Sequence, residues 1–120
     1  MSEIEEEIYE IKVSIKEIKK KLLKLGIMHP GSINTQYNVC GNANCACKNK
    51  ENPKKHGPYY QLSYSNKGRS TTRFIKEEEV KKTRKQVENY KTFKKLNIEL
   101  VNLNVELVKA LRMEVKKELS

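Results

Sequence analysis

The chain has 120 residues and carries 25 Lys or Arg against 15 acidic residues, all of them Glu, for a net charge of +10. Only 37% of it is hydrophobic and it lacks Trp, so a single core would be thin and a metal staple or an oligomer is expected. No stretch approaches 18 consecutive apolar residues, which excludes a membrane-spanning helix.

Ser2-Glu3-Ile4-Glu5 is a capping box, and behind it Ile4, Ile8, Ile11, Ile15, Ile18, Leu22 and Leu25 alternate spacings of four and three. That pattern predicts a heptad helix over 1–26. Glutamates crowd its start and lysines its end, both matched to the helix dipole, and Gly26 supplies a stop. An acidic, heptad-patterned start is not a signal peptide, so a reducing cytoplasm is the expected compartment.

His29-Pro30-Gly31-Ser32 reads as a turn, and 33–57 as irregular. Residues 58–64 and 69–75 flank Asn66-Lys67-Gly68, which predicts a β-hairpin with a three-residue loop. In that register Tyr60 faces Phe74, Leu62 faces Thr72 and Tyr64 faces Ser70 on an apolar side. Gln61, Ser63, Arg69, Thr71 and Arg73 then share the polar side.

From Glu77 onward there is neither Gly nor Pro. Val80, Val87, Tyr90, Phe93, Leu96, Leu100, Leu103, Leu107, Leu111 and Val115 recur at threes and fours, predicting one long helix over 77–120. If both helices pack antiparallel from a shared end, roughly the last 20 residues overhang. A homodimer through residues 96–119 is the expected way to bury them, the alternative being a helix bent back into a monomeric bundle. The expected fold is α+β and mostly helical, with a zinc knuckle and hairpin (27–76) between two coiled-coil-type helices.

All three cysteines fall within eight residues. Cys40, Cys45, Cys47 and His56 give C-x4-C-x-C-x8-H, a Cys3His set able to close a tetrahedron around a structural Zn2+ with no vacancy for chemistry. His29 is the competing fourth ligand. A disulfide would leave one thiol over, and Cys45-x-Cys47 would be a strained pair. A nucleophilic thiol would have no Asp to orient His56, and an iron–sulfur cluster on Cys3His is unusual. Substituting Cys45 by Ser is expected to unfold residues 40–75.

Charge is concentrated beside this set. Residues 26–76 hold eight Lys or Arg and a single acid, Glu51, while residues 1–25 hold equal numbers of each sign. Lys48, Lys50, Lys54 and Lys55 on the loop, with Lys67, Arg69 and Arg73 on the hairpin, form the candidate phosphate-contacting surface. Tyr59 is expected to pack against Ile75, with stacking on an unpaired base as the alternative.

Gly31-Ser32-Ile33, Tyr37, Cys40-Gly41, Cys45, Cys47, His56-Gly57-Pro58-Tyr59-Tyr60, Leu62-Ser63, Gly68 and Arg73 resemble a family of small prokaryotic and mobile-element proteins of unknown function. The likeness runs from residue 31 to roughly 95. It implies a shared metal-stapled hairpin and names no activity. Ala46 stands where that family often has a basic residue, and Asn42-Ala43 where it often has Lys-Pro, so the knuckle itself has less to grip phosphate.

The expected function is a non-enzymatic, zinc-stapled nucleic-acid-binding dimer, with DNA favoured over RNA and no small-molecule substrate. The alternative is a coiled-coil scaffold protein of a mobile element or virus that binds an acidic protein. An enzyme is the most distant reading. Two histidines and no Asp leave few acid–base groups, and no metal or Arg–His constellation supports Tyr59, Tyr60 or Tyr64 as a strand-transfer nucleophile.

Overall fold

The computed structural model describes residues 2–119. Helix α1 spans Glu3–Lys24, strands β1, β2 and β3 span Ser32–Asn38, His56–Asn66 and Arg69–Ile75, and helix α2 spans Glu77–Leu119. The three strands form one antiparallel sheet in the order β1-β2-β3. This agrees with a mostly helical α+β fold.

The chain divides into two compact units. Residues 28–88 make one, and residues 1–27 with 89–120 make the other. In the helical unit the Ser2 side chain caps the amide of Glu5 at 3.2 Å, as the capping box predicts. Ile8, Ile11 and Ile15 bury themselves with Ala110, and Ile4, Leu100, Leu103 and Leu107 pack around them. Where α1 ends, the Asn89 side-chain amide donates to the carbonyl of Ile27 at 2.9 Å. The helices therefore run antiparallel.

The isoleucine seam of α1 thus packs on residues that the shared-end pairing leaves overhanging. The reason lies at the other end of α2, whose first three turns belong to the sheet unit. There Leu62, Ile75 and Val87 are buried together, with Ile33, Tyr60, Tyr64 and Val80 packed against them. Because α2 covers the sheet before it meets α1, its partner segment is displaced toward its C-terminus. Leu111 and Val115, expected on the seam, are exposed, and Ala110 takes the buried position instead.

Strand β1 occupies a stretch expected to be irregular. It pairs with β2 through Ser32↔Ser63, Ile33↔Leu62, Asn34↔Gln61 and Thr35↔Tyr60. Only Ile33 along it is even half-buried, so the hydrophobic alternation that marks a strand is nearly absent.

The hairpin register differs by one residue from the expected one. Tyr60 pairs with Ile75, Leu62 with Arg73 and Tyr64 with Thr71. The loop is the two-residue Lys67-Gly68, with φ of 52° and 75°, a turn with both central residues left-handed. Lys67 accepts a conformation that non-glycine residues rarely adopt, which is why the sequence favours the longer loop. One step of register carries every β3 side chain to the other face. Phe74, expected in the core, is exposed, and Arg69, Thr71 and Arg73 share the face of Leu62. They stay exposed because β3 is an edge strand.

Candidate metal centre

The sheet delivers the two outer ligands of the candidate site. His56 opens β2 and pairs with Asn38 near the end of β1, across a register irregularity between Gln36 and Asn38. Cys40 follows two residues after Asn38, so strand pairing alone brings the ends of this segment together. Next to His56 the backbone of Gly57, at φ 136°, passes so close to β1 that a Cβ would meet the Gln36 carbonyl at 2.8 Å. Only glycine fits that approach.

The other two ligands come from a tight knuckle. Cys45 precedes, and Cys47 sits within, a single 3-10 turn over Ala46–Lys48. The Cys45 amide donates to the Asn42 carbonyl at 3.2 Å, and the Lys48 amide to the Cys45 carbonyl at 3.0 Å. Asn42 also accepts from the Asn44 amide through its side chain at 3.0 Å. Farther on, the Asn49 side chain accepts from the amides of Glu51 and Asn52, and the Lys54 amide returns to the Ala46 carbonyl at 3.1 Å. These bonds supply the backbone pairing that a loop without a regular ladder otherwise lacks.

The ligand atoms of Cys40, Cys45, Cys47 and His56 all lie within 4.8 Å of one another. The Sγ atoms of Cys40 and Cys47 are 3.6 Å apart, and Cys45 Sγ is 3.2 Å from His56 Nε2. A regular tetrahedron with metal–sulfur bonds of about 2.3 Å and a metal–nitrogen bond of about 2.0 Å has edges of roughly 3.8 Å and 3.5 Å. The four residues therefore can hold a metal ion once the wider pairs draw in. The Cys40 amide donates toward Cys47 Sγ at 3.4 Å, an interaction suited to a thiolate.

His29, the competing ligand, is engaged elsewhere. Its ring meets Tyr64 edge-on at 4.6 Å, its Nδ1 lies 2.7 Å from the Pro30 carbonyl, and its amide donates to the Gln86 carbonyl. It acts as a packing residue of the sheet unit.

Electrostatics within the cluster favour charge separation. A backbone hydrogen bond at Asn42, followed by one from His56, lowers the Cys40 thiol pKa to about 6. Backbone and then side-chain hydrogen bonding with Cys47 lowers that of Cys45. Burial pushes Cys47 up. Hydrogen bonds to Cys40 and then Cys45 raise His56. A lowered thiol stabilises the metal-free fold above the ordinary thiol range and loses that contribution as pH falls through about 6. The raised His56 has the opposite sign, stabilising at low pH and fading as pH rises through its shifted value. Metal binding needs all three thiolates and a neutral imidazole, so affinity should rise with pH from about 6, where Cys40 ionises, onward through the raised range of Cys47, with proton release. Chelator competition at several pH values measures it, and a pH-independent affinity would contradict a thiolate–imidazole ligand set.

Of the basic candidates, Lys48, Lys50, Lys54 and Lys55 are exposed on the loop that the cluster shapes, Lys67 forms the hairpin turn, and Arg69 and Arg73 are exposed on β3. Arg69 and Arg73 do not share a sheet face with Gln61 and Ser63, as a three-residue loop requires. The outward face instead presents Gln36, Gln61, Ser63 and Thr72 around two aromatics, Tyr59 at 41% and Phe74 at 68% exposure. Tyr59 does not share a face with Ile75, whose cross-strand partner is Tyr60. The sequence hides this aromatic pair, because Phe74 moves outward only with the two-residue turn.

No helix among the described residues is long and apolar enough to cross a membrane. A family model described as a domain of unknown function (DUF6788) matches residues 1–85, which include α1, the sheet and the four-ligand cluster. No curated protein and no solved structure matches the chain.

Proposed function

Since the chain belongs to the DUF6788 family, whose function is unknown, we propose a role for it from the site itself: a zinc-stapled, non-enzymatic module that binds nucleic acid through unpaired bases. Zinc is the assignment because three thiolates and one imidazole in tetrahedral reach are soft and borderline donors that leave no open position. The ion acts as a clamp, tying the knuckle to the start of β2.

One observation carries the nucleic-acid reading. The outward sheet face offers two exposed aromatics among amides and hydroxyls, with no acidic side chain on it among the described residues. The same segment, 26–76, has a surplus of seven positive charges, reduced to six by a zinc tris-thiolate. Tyr59 and Phe74 supply π-faces for successive bases. Lys48, Lys50, Lys54, Lys55, Lys67, Arg69 and Arg73 supply phosphate contacts around them. A duplex hides its base faces, so single strands of DNA or RNA are the preferred ligand over duplex DNA.

Fluorescence anisotropy with single-stranded and duplex oligonucleotides tests this. Affinity should fall linearly in log–log fashion with salt. Phe74→Ala should weaken single-strand binding by about 1–3 kcal/mol and leave duplex binding nearly unchanged. Undetectable or salt-insensitive binding at low ionic strength would end the proposal. So would a stoichiometric protein partner that survives nuclease treatment, since that is the signature of the acidic-partner scaffold.

A further inference from the structure

Helix α2 carries two apolar stripes within the helical unit. One, built around Leu100, Leu103, Leu107 and Ala110, is covered by α1. The other consists of Ile98, Val101, Val105, Val108, Val115 and Leu119, and it is bare, from 48% exposed at Val105 to 84% at Leu119. Two open grooves lie along this second stripe, of about 580 Å³ and about 400 Å³, and Val108 and Arg112 line both. We propose that the second stripe is a homodimer interface on which α2 of another copy packs antiparallel.

The spacing lets a second copy fill the stripe. Positions 98, 101, 105, 108, 112 and 115 are separated by 3, 4, 3, 4 and 3 residues. That series is its own reverse, so the stripe is complementary to itself in an antiparallel pair. The layers formed are 98 with 115, 101 with 112, and 105 with 108, each occurring twice about a two-fold axis. Arg112 decides the direction. A parallel pair stacks the two guanidiniums on each other in the seam, whereas the antiparallel pair sets each against Val101 of the other copy and lets its head reach solvent.

The area is sufficient. From the exposures, the five apolar side chains of these layers and Arg112 contribute roughly 550 Å² per copy, or about 1,100 Å² for the pair, which approaches the lower bound of specific interfaces. Among globular surfaces, a row of exposed apolar side chains of this length, broken only by Arg112, is itself unusual without a partner. Because α1 occupies the opposite stripe, dimerisation requires no repacking of the helical unit. The stripe also lies beyond residue 85, where the family match ends. The proposal is independent of the nucleic-acid reading.

The test is sedimentation equilibrium on the full chain, whose single-copy mass is 14.0 kDa. Twice that mass is expected at micromolar concentration. Val105→Glu alone and Val108→Lys alone should each be monomeric, with dissociation constants raised roughly 100-fold or more by an unpaired charge in the seam. Circular dichroism should show unchanged helix content, since both positions are exposed in the single copy. Mixing the two variants should restore a dimer, because the carboxylate introduced at position 105 of one chain then faces the ammonium introduced at position 108 of the other. A parent chain that stays monomeric at about 100 μM, well above the Kd range of specific complexes, or variants that dimerise as the parent does, would overturn the interface. Failure of the mixture to pair would overturn the antiparallel register.

Discussion

Replacing Cys45 with Ser is expected to abolish stoichiometric metal binding and to release the segment from Val39 to Lys55, while both helices and the sheet persist. The Cys45 Sγ atom is the one within 3.2 Å of His56 Nε2, so it links the knuckle to the strand. Serine at that position is a neutral alcohol and leaves three ligands. A closed structural zinc site contributes about 10–16 kcal/mol of apparent binding free energy at neutral pH, which exceeds anything else holding this loop. Its remaining ties are the few turn hydrogen bonds around Asn42, Ala46 and Asn49, each contributing about 0.5–1.5 kcal/mol.

The boundary of the effect is itself informative. The sequence suggests that unfolding would reach residue 75. In the structure β2 is hydrogen-bonded on both sides and holds Leu62, Ile75 and Val87 in a cluster of its own, so the sheet has stability that the metal does not supply. Hydrogen–deuterium exchange on the parent, the chelated parent and Cys45→Ser should show the same confined loss of protection over 39–55. Unchanged protection there, with one metal ion still retained by native mass spectrometry, would refute the clamp.

Leu62→Ala should produce the largest loss of stability available to a single conservative substitution in the sheet unit. Leu62 is 0% exposed on the central strand. Truncating such a side chain removes its transfer free energy and leaves a cavity, together costing about 2–5 kcal/mol. Small domains are typically stable by only about 5–15 kcal/mol, so much of the sheet's margin would go. Phe74→Ala is the matched control and should change stability by no more than about 0.5 kcal/mol, because its ring lies largely in solvent. Urea denaturation followed by tyrosine fluorescence would compare the two. A large effect at Phe74 as well as at Leu62 would mean the hairpin adopts the three-residue loop after all.

Those two variants mark where local information stops. The helices are legible because their signals repeat within a few residues: the capping box at Ser2, the isoleucine seam of α1, and the absence of Gly and Pro after Glu77. The four ligands are legible as a set because soft donors clustered in a chain without other cysteines have few alternative uses. Spacing alone leaves the histidine position open, and the contact of His29 with Tyr64 closes it. Strand β1 is hidden, since a strand with one face in solvent and the other touching the core only at Ile33 leaves no alternation to read. The register is hidden too. Lys67 incurs a conformational cost at φ 52° that burial of Ile75 with Leu62 and Val87 offsets.

Two helices, a Cys3His cluster and a basic centre follow from the residues alone, because periodicity, ligand chemistry and charge are properties of neighbours along the chain. Which faces those elements keep is a matter of tertiary packing. The two-residue turn carries Phe74 out beside Tyr59. The commitment of residues 77–88 to the sheet moves the partner of α1 along α2, and α1 covers only the face of Leu100, Leu103, Leu107 and Ala110, with Ile98, Val101, Val105 and Val108 exposed on the other. Both outcomes depend on which apolar groups bury together across long separations in sequence, and a change of one residue in register or one turn in pairing leaves every local signal the same.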